Sequence, residues 1–284
     1  MKPIIKYRGG KSKEIPNFKN YIPVKFNTYY EPFFGGGATF FDLEPDRAYI
    51  SDINKNLIKF YEDLTNNYYI VKEELKELEI KYIENREIFL KNKRKNPELK
   101  VNDPNEELYY WIRDQYNQKL LPVYSYATLY YFINKTSYSG MIRYNSRGEF
   151  NVPYGRYANF NTDLLNENHL KLLRKSKIKN ESYEKSFDLA NEKDFIFLDP
   201  PYDTVFSEYG NEVFSGDFKE KDHHQLAQNF KNLSSPALMI ISETKLIKNI
   251  YKGYIKASYP KNYSVNIRNR FKSEANHLII TNFN

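Results

Sequence analysis

The feature that most constrains the fold is a short apolar run, Asp194-Phe195-Ile196-Phe197-Leu198, that ends directly in Asp199-Pro200-Pro201-Tyr202. Continuous apolar residues are typical of a strand that is covered on both faces, as in parallel sheets flanked by helices. The two prolines cannot extend a hydrogen-bonded ladder, so the strand must end before them. Asp199 therefore falls at the carboxyl end of a central strand, where open α/β sheets bind their ligands.

The rest of the pattern predicts an α/β core that is split by a mainly helical insert. Between Tyr29 and Asn66 the order is strand, glycine turn, helix, strand and helix, which is typical of the opening of a doubly wound sheet. The middle of the chain shows helical periodicity and no good strand. After residue 165 we predict a helix over 169–177 and strands over 237–242 and 277–281. The predicted domains are residues 1–57 and 165–284 for the core and residues 58–164 for the insert.

Composition narrows the classes of function. The chain has 43 Lys and Arg residues against 36 Asp and Glu residues, and its formal net charge of +7 favours a polyanionic partner such as nucleic acid. Its 27 tyrosines and 20 phenylalanines suit either a tyrosine-lined nucleic-acid surface or ordinary core filling. The absence of cysteine excludes disulfides and thiolate metal sites. With no long apolar stretch and no signal peptide, we expect a cytoplasmic protein with no metal site and no membrane association.

The tetrapeptide Asp199-Pro200-Pro201-Tyr202 carries the sharpest chemical signal. Its prolines stiffen the backbone, so that the Asp199 carboxylate and the Pro200 carbonyl can point at one amino group while Tyr202 offers a flat face to a planar ring. An exocyclic amine on adenine is a poor nucleophile, and two acceptors on its hydrogens would make the nitrogen more reactive. This arrangement suits methyl transfer. The alternative is a strand-end turn with an aromatic cover.

A second motif, Glu31-Pro32-Phe33-Phe34-Gly35-Gly36-Gly37, places glycines between a predicted strand and a predicted helix. Such a turn lets a cofactor approach the backbone, and an acid at the end of the next strand can hold ribose hydroxyls. Asp52 stands at that position. Because the motif lacks the GxGxxG pattern of dinucleotide binders, a nicotinamide cofactor is disfavoured.

Two further segments combine cations, aromatic residues and glycines. Residues 6–11, Lys-Tyr-Arg-Gly-Gly-Lys, are either a flexible basic arm or a cofactor loop. Residues 134–157 form a loop rich in Arg, Asn and Tyr, which could read a guanine edge, wedge an aromatic ring into stacked bases and bind phosphates. The alternative is a tyrosine-rich hairpin on the insert.

Taken in this order, the four segments resemble the Dam-like family of DNA adenine-N6 methyltransferases. The resemblance implies a Rossmann-like core with a mixed seven-stranded sheet, S-adenosyl-L-methionine as methyl donor, double-stranded DNA as partner and a helical target-recognition insert. It implies that the flipped adenine is methylated on N6 by residues of the tetrapeptide, namely Asp199, Pro200 and Tyr202. It assigns cofactor contacts to Tyr7, Lys11, Glu31, Phe33, Gly35, Asp52 and Asp199. It assigns DNA contacts to Tyr138, Ser139, Met141, Arg143, Asn145, Asn151 and Pro153, with Tyr138 beside the flipped base and Arg143 on a guanine.

Departures from the family pattern bear on the target sequence. Many members have Trp-Ala where this chain has Tyr7-Arg8, and GATC-specific members commonly have Asn where this chain has Ser139. GATC is the preferred prediction for the recognition sequence, although these departures weaken the link from the family to that sequence. A cognate restriction endonuclease is a candidate partner. The loop from Asp203 to Asp222 could close over DNA or cofactor. The alternatives are a catalytically silent DNA-binding protein and a methyltransferase that acts on a protein glutamine or on RNA.

Overall fold

A computed structural model describes residues 1–203, 218–261 and 275–284 of the chain. These residues divide into two compact units. A helical unit comprises Met1–Gly10 and Asn54–Arg174, and a sheet unit comprises Lys11–Ile53 together with 175–203, 218–261 and 275–284.

Along the chain, the elements of the sheet unit come before and after those of the helical unit. The α-helices are α1 Ile15–Phe18, α2 Ala38–Leu43, α3 Lys55–Asn66, α4 Tyr68–Lys95, α5 Pro104–Tyr116, α6 Tyr126–Thr136, α7 Glu167–Arg174, α8 Tyr183–Leu189, α9 Glu220–Lys231 and α10 Lys245–Ile250. The strands are β1 Tyr29–Glu31, β2 Ala48–Ser51, β3 Ser176–Lys179, β4 Phe195–Leu198, β5 Ala237–Ser242, β6 Ile255–Lys261 and β7 Ala275–Thr281. The described helices include none with the length and apolarity that a bilayer requires.

The sheet unit is built on one seven-stranded sheet with the order β3-β2-β1-β4-β5-β7-β6. The strands from β3 to β5 in this order are parallel, whereas β7 is antiparallel to both of its neighbours. This mixed sheet confirms the Rossmann-like fold that the resemblance implied. The chain runs outward from β1 through β2 to β3 and then returns to place β4 on the other side of β1, so the strand order reverses between β1 and β4. Such a reversal is where doubly wound sheets open a ligand crevice at the carboxyl ends of the strands.

Helices cover both faces of the central strands. On one face, Ile196 and Leu198 of β4 share a buried cluster with Leu226 and Phe230 of α9. On the other face, Phe197 of β4 stacks on Phe18 of α1 with ring centroids 5.4 Å apart. Successive residues of a strand point to opposite faces, so β4 needs an apolar residue at every position. This double coverage explains the continuous apolar run in the sequence.

The helical unit holds the first ten residues through a pair of hydrogen bonds. The Lys6 amide donates to Asn134 Oδ1 at 2.9 Å, and Asn134 Nδ2 donates to the Lys6 carbonyl at 2.8 Å. The Lys2 carbonyl also lies 3.0 Å from His169 Nε2 of α7. The sequence-based division placed residues 1–57 and α7 in the core. The structure instead groups Met1–Gly10 and α7 with the helical unit, because their contacts are made there.

The predicted helix over 169–177 is wrong at its end. Helix α7 ends at Arg174, and the following Ser176–Lys179 form β3, which pairs in parallel with β2. The residues of β3 alternate between half-buried and exposed, and only Ile178 among them is apolar. Backbone pairing with β2 therefore holds β3 in the sheet. The pattern of apolar residues did not indicate this pairing. Strand β6, at the opposite edge of the sheet, was also not predicted.

Candidate active site

Asp199 follows β4 and is bound by a buried lysine. Lys11 Nζ lies 2.6 Å from Asp199 Oδ1 and 2.6 Å from Oδ2. The Lys11 side chain is 2% exposed and that of Asp199 is 21% exposed. Burial raises the pKa of the Asp199 carboxyl, and the ammonium of Lys11 opposes that rise. Since a carboxylate has about four lone-pair positions, Lys11 fixes its orientation and leaves acceptor positions for another donor.

Tyr202 completes the tetrapeptide with a half-buried ring beside this ion pair. Its hydroxyl donates to Asp199 Oδ1 at 3.4 Å, and Lys11 Nζ lies 5.1 Å from its ring centroid. The imidazole of His277 meets the ring at an interplanar angle of 68°, with the centroids 5.1 Å apart. The end of β4 thus carries a carboxylate and a flat aromatic ring within a few ångströms of each other.

Glu31, at the end of β1, is buried and neutralised by its surroundings. Burial and the charge of Asp199 raise the pKa of the Glu31 carboxyl to about 8, although hydrogen bonds and Lys11 act in the opposite direction. Glu31 Oε2 accepts hydrogen bonds from the Tyr29 hydroxyl at 2.7 Å and from the Phe40 amide at 3.1 Å. At neutral pH, Asp199 is therefore charged at the site where the strand order reverses, whereas most Glu31 carboxyls are protonated and neutral.

The glycine turn after β1 is tied to the end of β2. The Gly35 amide donates to Asp52 Oδ2 at 2.9 Å, and the Phe34 amide donates to the Ser51 carbonyl at 3.0 Å. Gly37 has a φ of +65°, and a β-carbon there would lie 2.5 Å from the Phe34 ring, so the position requires glycine. One oxygen of the half-exposed Asp52 carboxylate is thereby held at the edge of the turn.

The structure brings together six of the seven residues that were predicted to contact the cofactor. These residues lie in the sheet unit at the carboxyl ends of the strands or in the segment that contacts them: Lys11, Glu31, Phe33, Gly35, Asp52 and Asp199. Phe33 is half-buried and stacks on Tyr183 with ring centroids 5.5 Å apart. Tyr7 belongs to the helical unit, where its carbonyl accepts a hydrogen bond from the Gly10 amide at 3.2 Å.

The loop that was predicted to read DNA folds back on itself as an irregular hairpin in the helical unit, with isolated antiparallel bridges between Ser137 and Tyr154 and between Tyr144 and Phe150. Arg143 is exposed, and its Nε donates to Asn151 Oδ1 at 2.8 Å. The Asn151 amide in turn donates to the Arg143 carbonyl at 3.1 Å. The hairpin therefore holds a guanidinium on its surface in a defined direction.

Directly after the bridge between Ser137 and Tyr154, the hairpin presents Tyr138, which is 57% exposed. The next two residues, Ser139 and Gly140, both have a positive φ, at +56° and +61°. The Tyr138 amide is anchored to the carbonyl of the exposed Pro153 at 2.8 Å, and the Met141 amide donates to the Tyr138 carbonyl at 3.2 Å. The sharp turn thus projects an aromatic ring from a fixed backbone.

Asn145 has a local role in the same hairpin. Its Oδ1 accepts hydrogen bonds from the amides of Arg147 and Glu149, both at 3.0 Å, and its Nδ2 donates to Glu149 Oε2 at 2.8 Å. These bonds close the turn at the end of the hairpin. Asn145 therefore shapes the hairpin, whatever else it contacts.

Sequence reasoning missed two buried residues behind the tetrapeptide, Glu14 and His277. Glu14 Oε2 lies 2.6 Å from His277 Nδ1 and accepts a hydrogen bond from the Tyr259 hydroxyl at 2.9 Å. Lys261 Nζ contacts the other carboxylate oxygen. The only signals in the sequence were an acid three residues after Lys11 and a histidine at the start of an apolar run. Neither signal indicates that the two residues meet, since 263 positions separate them.

The structure tests the expectation about a metal site and the prediction of a loop from Asp203 to Asp222 only in part. Among residues 1–203, 218–261 and 275–284, no group of three or more His, Asp or Glu side chains is placed to hold a metal ion. The predicted loop from Asp203 to Asp222 lies outside the described residues between positions 204 and 217. At its start, Asp203 Oδ2 accepts a hydrogen bond from Thr244 Oγ1 at 2.9 Å.

Comparison with known proteins gives a consistent set of relatives. The model of the D12 class N6 adenine-specific DNA methyltransferase family matches residues 7–266. The Type II methyltransferase M.CviBI of Paramecium bursaria Chlorella virus NC1A is 33% identical over 290 residues, with 100% of both chains covered. The Type II methyltransferase M1.LlaDCHI of Lactococcus lactis subsp. cremoris is 29% identical over 100% of this chain and 96% of its own length. The DNA adenine methylase of Escherichia coli (strain K12) is 29% identical, with 87% of this chain and 83% of the relative covered.

Proposed function

The chain belongs to the D12 class N6 adenine-specific DNA methyltransferase family, and from that premise we propose how the residues of this adenine-specific DNA methyltransferase divide the reaction. The methyl donor is S-adenosyl-L-methionine, which supplies an electrophilic methyl group on a sulfonium sulfur. The substrate is an adenine that has been flipped out of duplex DNA, because the N6 atom of a paired and stacked base is out of reach.

The residues around the glycine turn suit this donor. The Asp52 carboxylate, oriented by the Gly35 amide at 2.9 Å, is placed to accept hydrogen bonds from ribose hydroxyls, as an acid after the second strand does in nucleotide-binding sheets. The half-buried ring of Phe33 offers an apolar surface. Lys11 and Glu31 line the same end of the sheet, and Tyr7 is assigned to the donor by resemblance alone.

The observation that carries the catalytic proposal is the Asp199 carboxylate, which Lys11 holds by both oxygens at 2.6 Å. A carboxylate fixed in this way can accept a hydrogen bond from the N6 amino group without having to reorient. The Pro200 carbonyl is the second acceptor. Both groups stabilise the positive charge that grows on nitrogen as the carbon–nitrogen bond forms and the carbon–sulfur bond breaks, which is electrostatic stabilisation by groups already in place. The sulfur would leave as a neutral thioether, and the nitrogen would then lose one proton to solvent.

Tyr202 provides the surface on which the flipped adenine stacks. Extrusion of a base costs a few kcal/mol, and stacking of a base on an aromatic ring returns about 1–3 kcal/mol. The remaining cost is offset by contacts of the basic protein with the DNA backbone. Tyr202 is half-buried and flanked by Lys11 and His277, so its ring has a restricted set of orientations.

The hairpin of the helical unit is the proposed reader of the target sequence. Arg143 reads a guanine edge, and its bond to Asn151 at 2.8 Å restricts the directions in which its guanidinium can point. The exposed Tyr138 fills the space beside the flipped base, and Ser139, Met141, Asn145 and Pro153 contribute the rest of the contact surface. We keep GATC as the preferred target. A cognate restriction endonuclease is the proposed partner, since two of the relatives are named Type II methyltransferases.

The test follows labelled methyl groups from S-adenosylmethionine into duplexes that differ only around one adenine. We expect incorporation at adenine N6 and its loss in Asp199→Asn. A matched control is Asp188→Asn, which removes an exposed carboxylate from α8 of the same unit and should leave the rate unchanged. Absence of incorporation into every adenine-containing duplex by folded protein, or full activity of Asp199→Asn, would contradict the proposal.

A further inference from the structure

We propose that Glu14 and His277 are a positioning pair that fixes the orientation of the Tyr202 ring. The inference rests on the proposed function, in which the target adenine stacks on Tyr202. It concerns residues that lie behind the tetrapeptide and that are not needed to contact the base or the methyl donor.

Glu14 is committed to this contact by its backbone position. It lies one turn after Lys11, since its amide donates to the Lys11 carbonyl at 2.7 Å. It also occupies the cap position of α1, yet its side chain makes no capping hydrogen bond to that helix. The carboxylate turns instead into the interior, where it is 5% exposed and meets His277, Tyr259 and Lys261. One short segment thus sends Lys11 to Asp199 and Glu14 to His277, whose ring meets that of Tyr202.

The protonation of the pair follows from the charge of Glu14. Burial would raise the pKa of this carboxyl, but hydrogen bonds from His277 and Lys261 and the charge of Lys11 outweigh burial and lower the pKa to about 2. Glu14 is therefore ionised at neutral pH, and an ionised carboxylate can only accept hydrogen bonds. His277 Nδ1 must carry the proton in the 2.6 Å contact, which fixes the direction in which the imidazole faces.

The oriented imidazole of His277 in turn restricts the orientation of the Tyr202 ring. The backbone of His277 lies in β7 opposite Ser242 of β5 and opposite Tyr259 of β6, so strands hold it on both sides. Its ring is fully buried and meets the Tyr202 ring edge-on, with the centroids 5.1 Å apart. Aromatic pairs of this geometry contribute beyond the area they bury. A ring that is already oriented does not have to be ordered when the adenine arrives, which favours stacking.

The decisive variant is His277→Asn. Asparagine places a nitrogen donor near the position of Nδ1, so that the hydrogen bond to Glu14 can persist while the ring that meets Tyr202 is lost. The matched control is Tyr259→Phe, which removes a different donor to the same Glu14 oxygen and keeps the ring beside His277. A purely structural network predicts similar effects of the two variants. Positioning predicts that only His277→Asn slows methylation.

Two readouts distinguish positioning from stability. We expect kcat of His277→Asn to fall by about 3- to 10-fold, the worth of one aromatic pair, with KM for the duplex within about twofold of the parent. The second readout is the fluorescence of a duplex that carries 2-aminopurine at the position of the target adenine. The fluorescence of its complex with Tyr202→Ala defines the emission of a flipped base that is not stacked. The emission of His277→Asn should move toward that value, and the emission of Tyr259→Phe should not.

A double-mutant cycle shows whether the pair acts through Tyr202. In the Tyr202→Ala background, His277→Asn should change the single-turnover rate by less than about twofold. The inference is wrong, while the proposed function stands, if the rate reductions caused by His277→Asn and Tyr202→Ala multiply in the double mutant. It is also wrong if Tyr259→Phe slows the reaction as much as His277→Asn. If Tyr202→Ala alone keeps the parental rate, the stacking role in the proposed function is wrong as well. Should His277→Asn fail to fold, Glu14→Gln enters the same cycle: it keeps the imidazole but removes the charge that orients it, and its effect on the rate should likewise vanish in the Tyr202→Ala background.

Discussion

Replacement of Glu14 by glutamine should destabilise the fold by about 3 kcal/mol near neutral pH. The carboxyl is almost fully buried, which by itself would raise its pKa, but the hydrogen bonds from His277 and Lys261 and the charge of Lys11 outweigh burial and lower the pKa from 4.5 to about 2. Each pKa unit corresponds to about 1.4 kcal/mol of preference for the ionised form in the folded state. The charge therefore contributes about 3 kcal/mol wherever the unfolded chain is also ionised. Glutamine keeps the shape of the side chain and removes this contribution.

The pH dependence gives the prediction its sign. Because the pKa of Glu14 is lowered on folding, its contribution is complete above about pH 4.5 and is lost as the pH falls through about 2. We expect the difference in unfolding free energy between the parent and Glu14→Gln to be about 3 kcal/mol at pH 7. At pH 3.5 the difference should be smaller by about 1.4 kcal/mol. Urea unfolding followed by circular dichroism at both pH values measures it directly.

The matched control is Glu243→Gln. Glu243 also pairs with a lysine, Lys248, at 2.6 Å, but the lysine side chain is 57% exposed and the carboxylate 23%. Exposed pairs of this kind contribute less than about 1 kcal/mol. A difference for Glu14→Gln that matches this control, or one that stays constant between pH 7 and pH 3.5, would refute the reasoning.

Three further predictions concern the reaction. Lys11→Met removes the ammonium that opposes the effect of burial on Asp199, so the pKa of Asp199 rises and the acidic limb of the pH–rate profile for methylation moves to higher pH; an unmoved limb would show that another group sets it. Asp52→Asn should weaken binding of S-adenosylmethionine by about 10- to 100-fold in calorimetry, since hydrogen bonds to a charged group are lost, while duplex affinity is unchanged; equal affinity for the donor would exclude a ribose contact. Arg143→Ala should lower discrimination at one guanine by about 1–3 kcal/mol in competition between cognate and altered duplexes. An equal loss on both duplexes would make Arg143 a phosphate contact.

The interior of the sheet could be predicted from the sequence, and its edges could not. Strands β4 and β5 are buried at every position, so their apolar runs stand out from the surrounding residues. The two strands that were missed, β3 and β6, lie at opposite ends of the strand order. An edge strand has one neighbour and much exposed surface, so it tolerates the lysines of β3 and Pro260 in β6. Composition therefore carries little information about such strands.

The candidate site divides in the same way between local and distant contacts. Asp199 and Tyr202 were found because one tetrapeptide contains both, and Asp52 was found because it is the acid at the end of the strand that follows the glycine turn. The contact between Lys11 and Asp199 spans 188 positions and that between Glu14 and His277 spans 263. No local pattern specifies these contacts, because the sheet alone brings their segments together. The resemblance to a family indicated that Lys11 belongs to the site, and nothing comparable indicated Glu14.

The position of β7 has a consequence for the order in which the protein acquires activity during synthesis. This strand comes last of the seven along the chain, yet it lies inside the sheet between β5 and β6. At a translation rate of about 5–20 residues per second, His277 leaves the ribosome about 10–50 s after Glu14. Throughout that interval the nascent chain carries Glu14 without the histidine that it pairs with. The support behind Tyr202 is therefore assembled after the tetrapeptide itself, and a chain that stops short of β7 would emerge with its reactive residues present and their backing absent.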